Sequence, residues 1–277
     1  MTVLKEHRAD VEFLLERRHD HGADAWATPD GRWGEGSPFS TFDCVLVLCE
    51  LGVARTDPVL KLAAEVLFDA WRPDGRFRPA PKATIHPCHT ANAARALCRL
   101  GYARDRRLKR TFEHLLEVQH LDGGWRCSTV RLGVSPATDA ANPGVTLNVL
   151  DAFRFTEHAA TRGPLDRAVG TLLAHWKTRR PLGPCAFGIG ARFGRIEYPF
   201  LRYNLFHYLY VLSFYPSARR RPEFLDALAT FQAKLVGGKV VVEHPHRSLA
   251  QLSLCRRGEP SRPATKRYRE LLRNLER

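Results

Sequence analysis

The sequence predicts an all-α protein, a ring of about five to six helical hairpins in which charged outer helices surround apolar inner ones. Three observations predict it. Apolar residues recur at helical spacing through most of the 277 residues. A turn carrying Asp-Gly and an aromatic recurs as PDGRW (Pro29 to Trp33), PDGRF (Pro73 to Phe77) and DGGW (Asp122 to Trp125), with aromatics 44 and 48 residues apart. Each such turn separates a helix charged on one side from a helix apolar on most sides.

In chain order, the outer helices are expected over residues 3–18, 58–72, 106–120, 164–178 and 222–235, with a last one over 265–276. In the third, Leu108, Phe112, Leu115, Leu116 and Gln119 form one core-facing stripe under an Arg, Lys and Glu surface. Pro58, Pro164 and Pro222 stand at first turns, where a missing N–H costs nothing. The inner helices are expected over 39–51, 88–100, 143–155, 200–215 and 246–256. On the fourth, Phe200, Tyr203, His207, Tyr210 and Phe214 fall on one side, while Leu201, Leu205, Tyr208 and Leu212 fall on the other, so both sides need shelter. A period near 50 suits an open solenoid or a closed ring. The turn favours the ring, because its Gly lets the chain reverse and its aromatic can wedge between hairpins. FQAKLVGGK, from Phe231 to Lys239, is a weaker fourth echo of the turn, and VGGKVVVE and GIGARFGRIEY could form at most short strands.

The formal charge of +14 suggests an acidic partner such as nucleic acid, an anionic membrane surface or a phosphorylated small molecule, yet only eight of the 43 basic residues are Lys, and the basic residues are scattered rather than gathered in one arm. A solvated basic exterior is the default. Seven Cys without an apolar leader argue against a disulfide framework, and no apolar run approaches a membrane span, so a soluble cytosolic protein is expected.

LLEVQHLDGGW, from Leu115 through Gln119 and Gly123 to Trp125, resembles the glutamine–tryptophan repeat of squalene and oxidosqualene cyclases, which share the α/α-toroid fold with protein prenyltransferase β subunits. The chain is similar over nearly its full length to uncharacterised bacterial prenyltransferase-like toroid proteins, most of all from His175 to Ser213. The resemblance implies a single toroid domain over residues 1–277. Two departures narrow the chemistry. The DxDD acid with which class II triterpene cyclases protonate their substrate is missing, since Asp43 and Asp139 stand alone, so proton-initiated cyclisation by that machinery is disfavoured; class I magnesium motifs are missing too, so ionisation of an allylic diphosphate by a magnesium cluster has no visible ligands.

Cys88, His89 and Cys127 sit where inner helices begin, and His207 lies within the fourth. Thiolates and imidazoles suit Zn²⁺, and a catalytic site keeps one of its four positions open. Placed near a helix N-terminus, the Cys88 thiolate is expected to be stabilised. The resemblance reaches two zinc-holding toroid families, the protein prenyltransferases and the lanthionine cyclases, whose adjacent Cys-His pair is matched by Cys88-His89. The resemblance to the uncharacterised toroid proteins, which extends to Cys88, Cys127 and His207, makes that trio the first choice of ligands, with His89 as a fourth or alternative ligand or a proton shuttle. Three ligands would leave an open site and four a closed structural one.

Simpler roles compete. Cys44, Cys49, Cys98 and Cys255 lie inside apolar helices as core thiols, and His207 could merely bond Tyr203 or Tyr210. Phe200, Tyr203, Tyr210 and Phe214 make an aromatic wall able to stabilise cations or fill a core. Tyr203, Tyr210, Asp139 and Asn142 are candidates for orienting a substrate. The leading expectation is a zinc-dependent enzyme performing alkyl transfer, cyclisation or lyase-type chemistry on a small or prenyl-like substrate. The rivals are a toroidal scaffold meeting an acidic partner and a metal-free terpenoid-binding or cyclising protein.

Overall fold

The computed structural model describes residues 3–127, 140–159, 163–180 and 189–277. Among these, the outer helices are α1 (Arg8–Glu16), α3 (Pro58–Asp69), α5 (Arg106–Glu117), α7 (Pro164–Thr178) and α10 (Pro222–Gln232). The inner helices are α2 (Thr41–Leu51), α4 (Pro87–Leu100), α6 (Pro143–Phe153), α8 (Leu205–Leu212) and α11 (Arg262–Leu275), and a short α9 (Pro216–Arg219) follows α8. Neighbouring inner helices pack in the order α2, α4, α6, α8, α11, and outer helices back α2, α4, α6 and α8. Arg267 of α11 then donates to Glu50 of α2 at 2.7 Å and closes the circle. The fold is all-α, a toroid of five hairpins, as the alternation of wet and apolar helices predicts.

Local chemistry explains most boundaries. Ser40, Asp57, Asp105, Asn142, Asn204 and Ser261 are N-caps whose side chains accept backbone N–H groups of the first turn. Gln119 of the third turn donates to the carbonyls of Gly123 and Pro164, tying that turn to the start of α7. Trp33, Phe77 and Trp125 are fully buried. Trp33 donates from Nε1 to Arg78 O in the next hairpin at 2.8 Å, which is the wedge expected of it. Gly75 and Gly123 hold φ of +89° and +99°, each against the backbone of the following outer helix. No named strand forms among the described residues, only isolated bridges such as Val236 with Lys239.

Four expectations are corrected. The first helix is a 3₁₀ turn over Lys5–His7 followed by α1, so it ends at Glu16. The fourth inner helix starts at Leu205 rather than 200, because Asn204 takes the cap by accepting from His207 N. Residues 246–256 make only a 3₁₀ turn, Arg247–Leu249, and further turns. The Asp10 carboxylate captures Ser253 N at 2.9 Å and the Ser253 hydroxyl at 2.6 Å, drawing donors away from a helix. The last helix, expected outside, is the fifth inner helix, and it buries Tyr268, Leu271 and Asn274.

Candidate functional site

Along the ring axis the candidate residues fall into separate layers. At the end where inner helices begin, Cys88 lies in the first turn of α4 and Cys127 follows the third turn. The two thiols are hydrogen-bonding neighbours, and this contact, with burial, raises the Cys88 pKa. The thiolate expected from the helix dipole is therefore not favoured here: a second sulfur and a dry surrounding outweigh a partial charge. Burial and the neighbouring His86 push His89 down to about 4. His89 Nδ1 accepts from His86 N at 3.3 Å, and its ring meets Trp33 edge-on at 6.4 Å.

His207 is not at that end. It occupies the middle of the ring, fully buried, with Nδ1 taking the Arg202 carbonyl at 3.1 Å and Nε2 placed 3.3 Å from Arg95 and 3.5 Å from Asp151. A neutral ring that donates from Nδ1 to the carbonyl and accepts from Arg95 at Nε2 satisfies both hydrogen bonds, while Asp151 Oδ2 takes its own donor from Arg95 Nε. Burial lowers its pKa against the pull of Asp151, in keeping with that tautomer. The bonds to Tyr203 or Tyr210 that a simple core role would use are not the ones it makes.

Arg95 is the hub of this middle layer. Its guanidinium reaches Asp151 at 2.7 Å, Asn148 at 3.0 Å and Phe200 O at 3.0 Å, and Asn148 in turn donates to Asn92 at 3.0 Å. Arg154 binds the other oxygen of Asp151. Burial works to raise the Asp151 pKa, but Arg154 and Arg95 prevail and hold it well below the usual carboxylate range. Asp43, on α2, lacks such pairing. Burial raises its pKa, while the Ser40 hydroxyl, donating at 2.8 Å, and the fields of Arg95 and Arg202 work against that rise.

The aromatic residues divide. Phe200 stacks on His207 at 5.1 Å and on Tyr210 at 4.9 Å, and Phe214 meets Tyr210 edge-on at 5.3 Å, so most of the expected wall forms beside the charged layer. Tyr203 turns to His175, whose Nδ1 lies 2.9 Å from its hydroxyl. Tyr210 reaches toward the far end of the ring, donating to Glu270 at 3.0 Å. Asn142 serves as the α6 cap, accepting Val145 N at 3.0 Å. Asp139 lies outside the described residues.

The structure thus gathers Cys88, Cys127 and His89 at one end, and leaves His207, Tyr203 and Tyr210 elsewhere. Among the described residues no group of three or more His, Cys, Asp and Glu side chains converges as a metal site. His207 stands apart from the two thiols, with Nδ1 on the Arg202 backbone carbonyl and Nε2 beside Arg95 and Asp151. Sequence reasoning missed Arg95, Asp151, Arg99, Arg154, Glu50 and Arg267. A signal existed: AARALCRL puts two arginines one turn apart in an apolar inner helix, where a charge has no solvent to reach.

No protein-family profile matches the chain, and no curated protein matches it. Among solved structures it is similar to the apo form of the type II terpene cyclase MstE from Scytonema, at 16% identity and a TM-score of 0.50, over 97% of this chain and 72% of that one. A variant of the same cyclase in complex with merosterolic acid A, its product, aligns at 15% identity and a TM-score of 0.47, over 86% and 67%. At such identity the likeness is one of fold, a terpenoid cyclase-like toroid.

Proposed function

We propose that the protein is an enzyme that encloses a small prenyl-like molecule in the toroid and cyclises it. The observation that carries this reading is the middle layer. Where a purely structural ring would be filled with aliphatic side chains, α4, α6 and α8 contribute Arg95, Asp151 and His207 beside the stacked rings of Phe200 and Tyr210, and Asp43 is buried in the first turn of α2 within the field of Arg95. Buried ionisable groups cost stability and concentrate where chemistry is done. The fold likeness to a terpene cyclase supports the reaction class.

In this reading Asp43 is the proton donor. Burial keeps its proton on to higher pH than in a free carboxyl, and Ser40 and Arg95 stabilise the anion left when the proton moves to a substrate double bond. Aromatic faces then stabilise the carbocation by about 0.5–2 kcal/mol each. A lone acid replaces the paired acids of the DxDD pattern. The test is to incubate the protein with isoprenoid alcohols and acids of graded length and to follow products by mass spectrometry. Asp43→Asn should abolish turnover while co-purified or added ligand still binds. Equal turnover by this variant would remove the acid role, and no turnover of any isoprenoid by the parent would remove the reading.

Zinc is a second reading, supported only by the contact between Cys88 and Cys127. The residues present supply two thiols and the nearby His89, but these three do not converge as a metal site among the described residues and His207 has other partners, so no reaction step is derived through a metal. Elemental analysis of untagged protein should find near-stoichiometric zinc that is lost in Cys88→Ser and Cys127→Ser; zinc-free parent protein ends this reading.

A further inference from the structure

At the opposite end from the thiols, where the inner helices finish, the ring opens into a cavity of about 960 Å³. Its walls are the last turn of α2 with the segment after it, Arg99 at the end of α4, Arg154 and Phe155 just beyond α6, α11 from Arg262 to Glu270, and Leu4 and His7 ahead of α1. Cys88 and Arg99 stand at opposite ends of α4, which separates the thiol contact from this cavity by about 16 Å.

The walls carry seven Arg and Lys side chains against two carboxylates, Glu50 and Glu270. Three of the guanidiniums are largely withdrawn from water, Arg99 at 13%, Arg267 at 14% and Arg154 at 6% exposure. Their counterions are shared rather than matched. Glu50 receives Arg99, Arg267 and the Tyr198 hydroxyl; Glu270 receives Arg267 and the Tyr210 hydroxyl; and the Asp151 that meets Arg154 also serves Arg95. Burial and the positive neighbours Arg267 and Arg154 pull the Arg99 pKa down, the mark of a cation facing cations. Around the mouth stand Arg55, Lys266 and Arg269, and Arg262 meets Glu6 at 3.4 Å on the exposed side. Lys266 and Arg269 continue with Arg273 into an adjoining hollow.

We propose that this cavity is a binding site for a compact oligoanion, a phosphate or diphosphate group carried by a small molecule. Closely spaced guanidiniums repel one another, and a bound anion with several oxygens relieves that repulsion while accepting parallel N–H donors from more than one arginine. A low-dielectric concave wall strengthens each such contact and draws the anion in. The volume exceeds that of a phosphate group and leaves room, beside Phe155, for an organic remainder. The inference stands on the cavity alone, so failure of the cyclase reading would leave it untouched.

Isothermal titration of the full chain with inorganic pyrophosphate, inorganic phosphate and citrate, at matched ionic strength, tests it. Pyrophosphate should bind with micromolar affinity, at least tenfold tighter than phosphate, and citrate should rank below pyrophosphate. The rim variant Arg55→Ala/Arg269→Ala leaves the buried ion pairs intact and should weaken pyrophosphate binding tenfold or more. A charge-matched control at the other end of the ring, Arg32→Ala/Lys82→Ala ahead of the starts of α2 and α4, should leave binding unchanged. Equal weakening in both variants, citrate binding tighter than pyrophosphate, or no saturable pyrophosphate binding would overturn the proposal. So would a single-stranded oligonucleotide that displaces pyrophosphate with a steep salt dependence, since that would assign the surface to a polymer.

Discussion

Asp43 and Asp151 are both buried carboxyls on inner helices, and their surroundings drive them in opposite directions. Two guanidiniums hold Asp151 ionised, so its contribution to stability is complete above the unfolded value near 3.9 and is lost as pH falls below it. Asp151→Asn leaves Arg95 and Arg154 buried without their carboxylate and should cost about 3–5 kcal/mol in chemical denaturation at pH 7. The variant should also show a flatter stability profile below about pH 4. Asp43 has the reverse sign. Its raised pKa means that folding is favoured while it is protonated and opposed as pH rises through its folded pKa. Asp43→Asn should therefore be more stable than the parent at pH 7, with the difference vanishing below about pH 4; a less stable variant at neutral pH would contradict the sign. Such a gain on removing a charge is what a group retained for chemistry shows. At this scale the sequence was partly legible. Cys88 and Cys127 could be paired because each adjoins the start of an inner helix. The partners of His207 could not, since Asp151 and Arg95 lie 56 and 112 residues from it and no local spacing encodes those meetings.

The recurrent turn gives the elements their order, and its glycines differ in a way that can be measured. A Cβ at Gly75 would come 2.6 Å from Arg110 O, and one at Gly123 would come 2.8 Å from the Arg167 backbone, whereas one at Gly31 would meet nothing within 4 Å. All three hold positive φ. Gly31→Ala should cost about 1 kcal/mol, from backbone strain alone. Gly75→Ala and Gly123→Ala should each cost more than about 2 kcal/mol, because the next outer helix must also move away. Thermal unfolding that ranks Gly31→Ala worst would refute this account of how hairpins abut. The hairpins themselves were readable because both signals, periodicity and turn, are local. The assignment failed in the last hairpin, where 246–256 looks as apolar as an inner helix while Asp10, more than 240 residues away, holds its backbone in turns. Helix α11 looks like an outer helix because it is richly charged, yet several of those charges face a cavity and its salt bridges rather than bulk water.

For the whole molecule, the circle depends on Glu50, which joins α2 to α4 through Arg99 and to α11 through Arg267. Glu50→Gln should lower stability by about 3 kcal/mol or more, since two buried guanidiniums lose their carboxylate. The same change removes one of two negative groups from the basic cavity, so pyrophosphate should bind more tightly to this variant than to the parent. The opposite movement of the two quantities is the informative result. No helix among the described residues is long and apolar enough to cross a membrane.

The join between α2 and α11 has a consequence for synthesis. Arg267 and Glu50 are 217 residues apart, and the contacts of Asp10 with Ser253 span 243. A nascent chain leaving the ribosome can stack its first four hairpins as they emerge, each resting on the one before. Until α11 arrives, however, that arc has two raw apolar edges, along α2 and α8, which no neighbour covers. Pauses late in translation would leave those edges exposed longest, and chaperone dependence should rise with the length of such a pause.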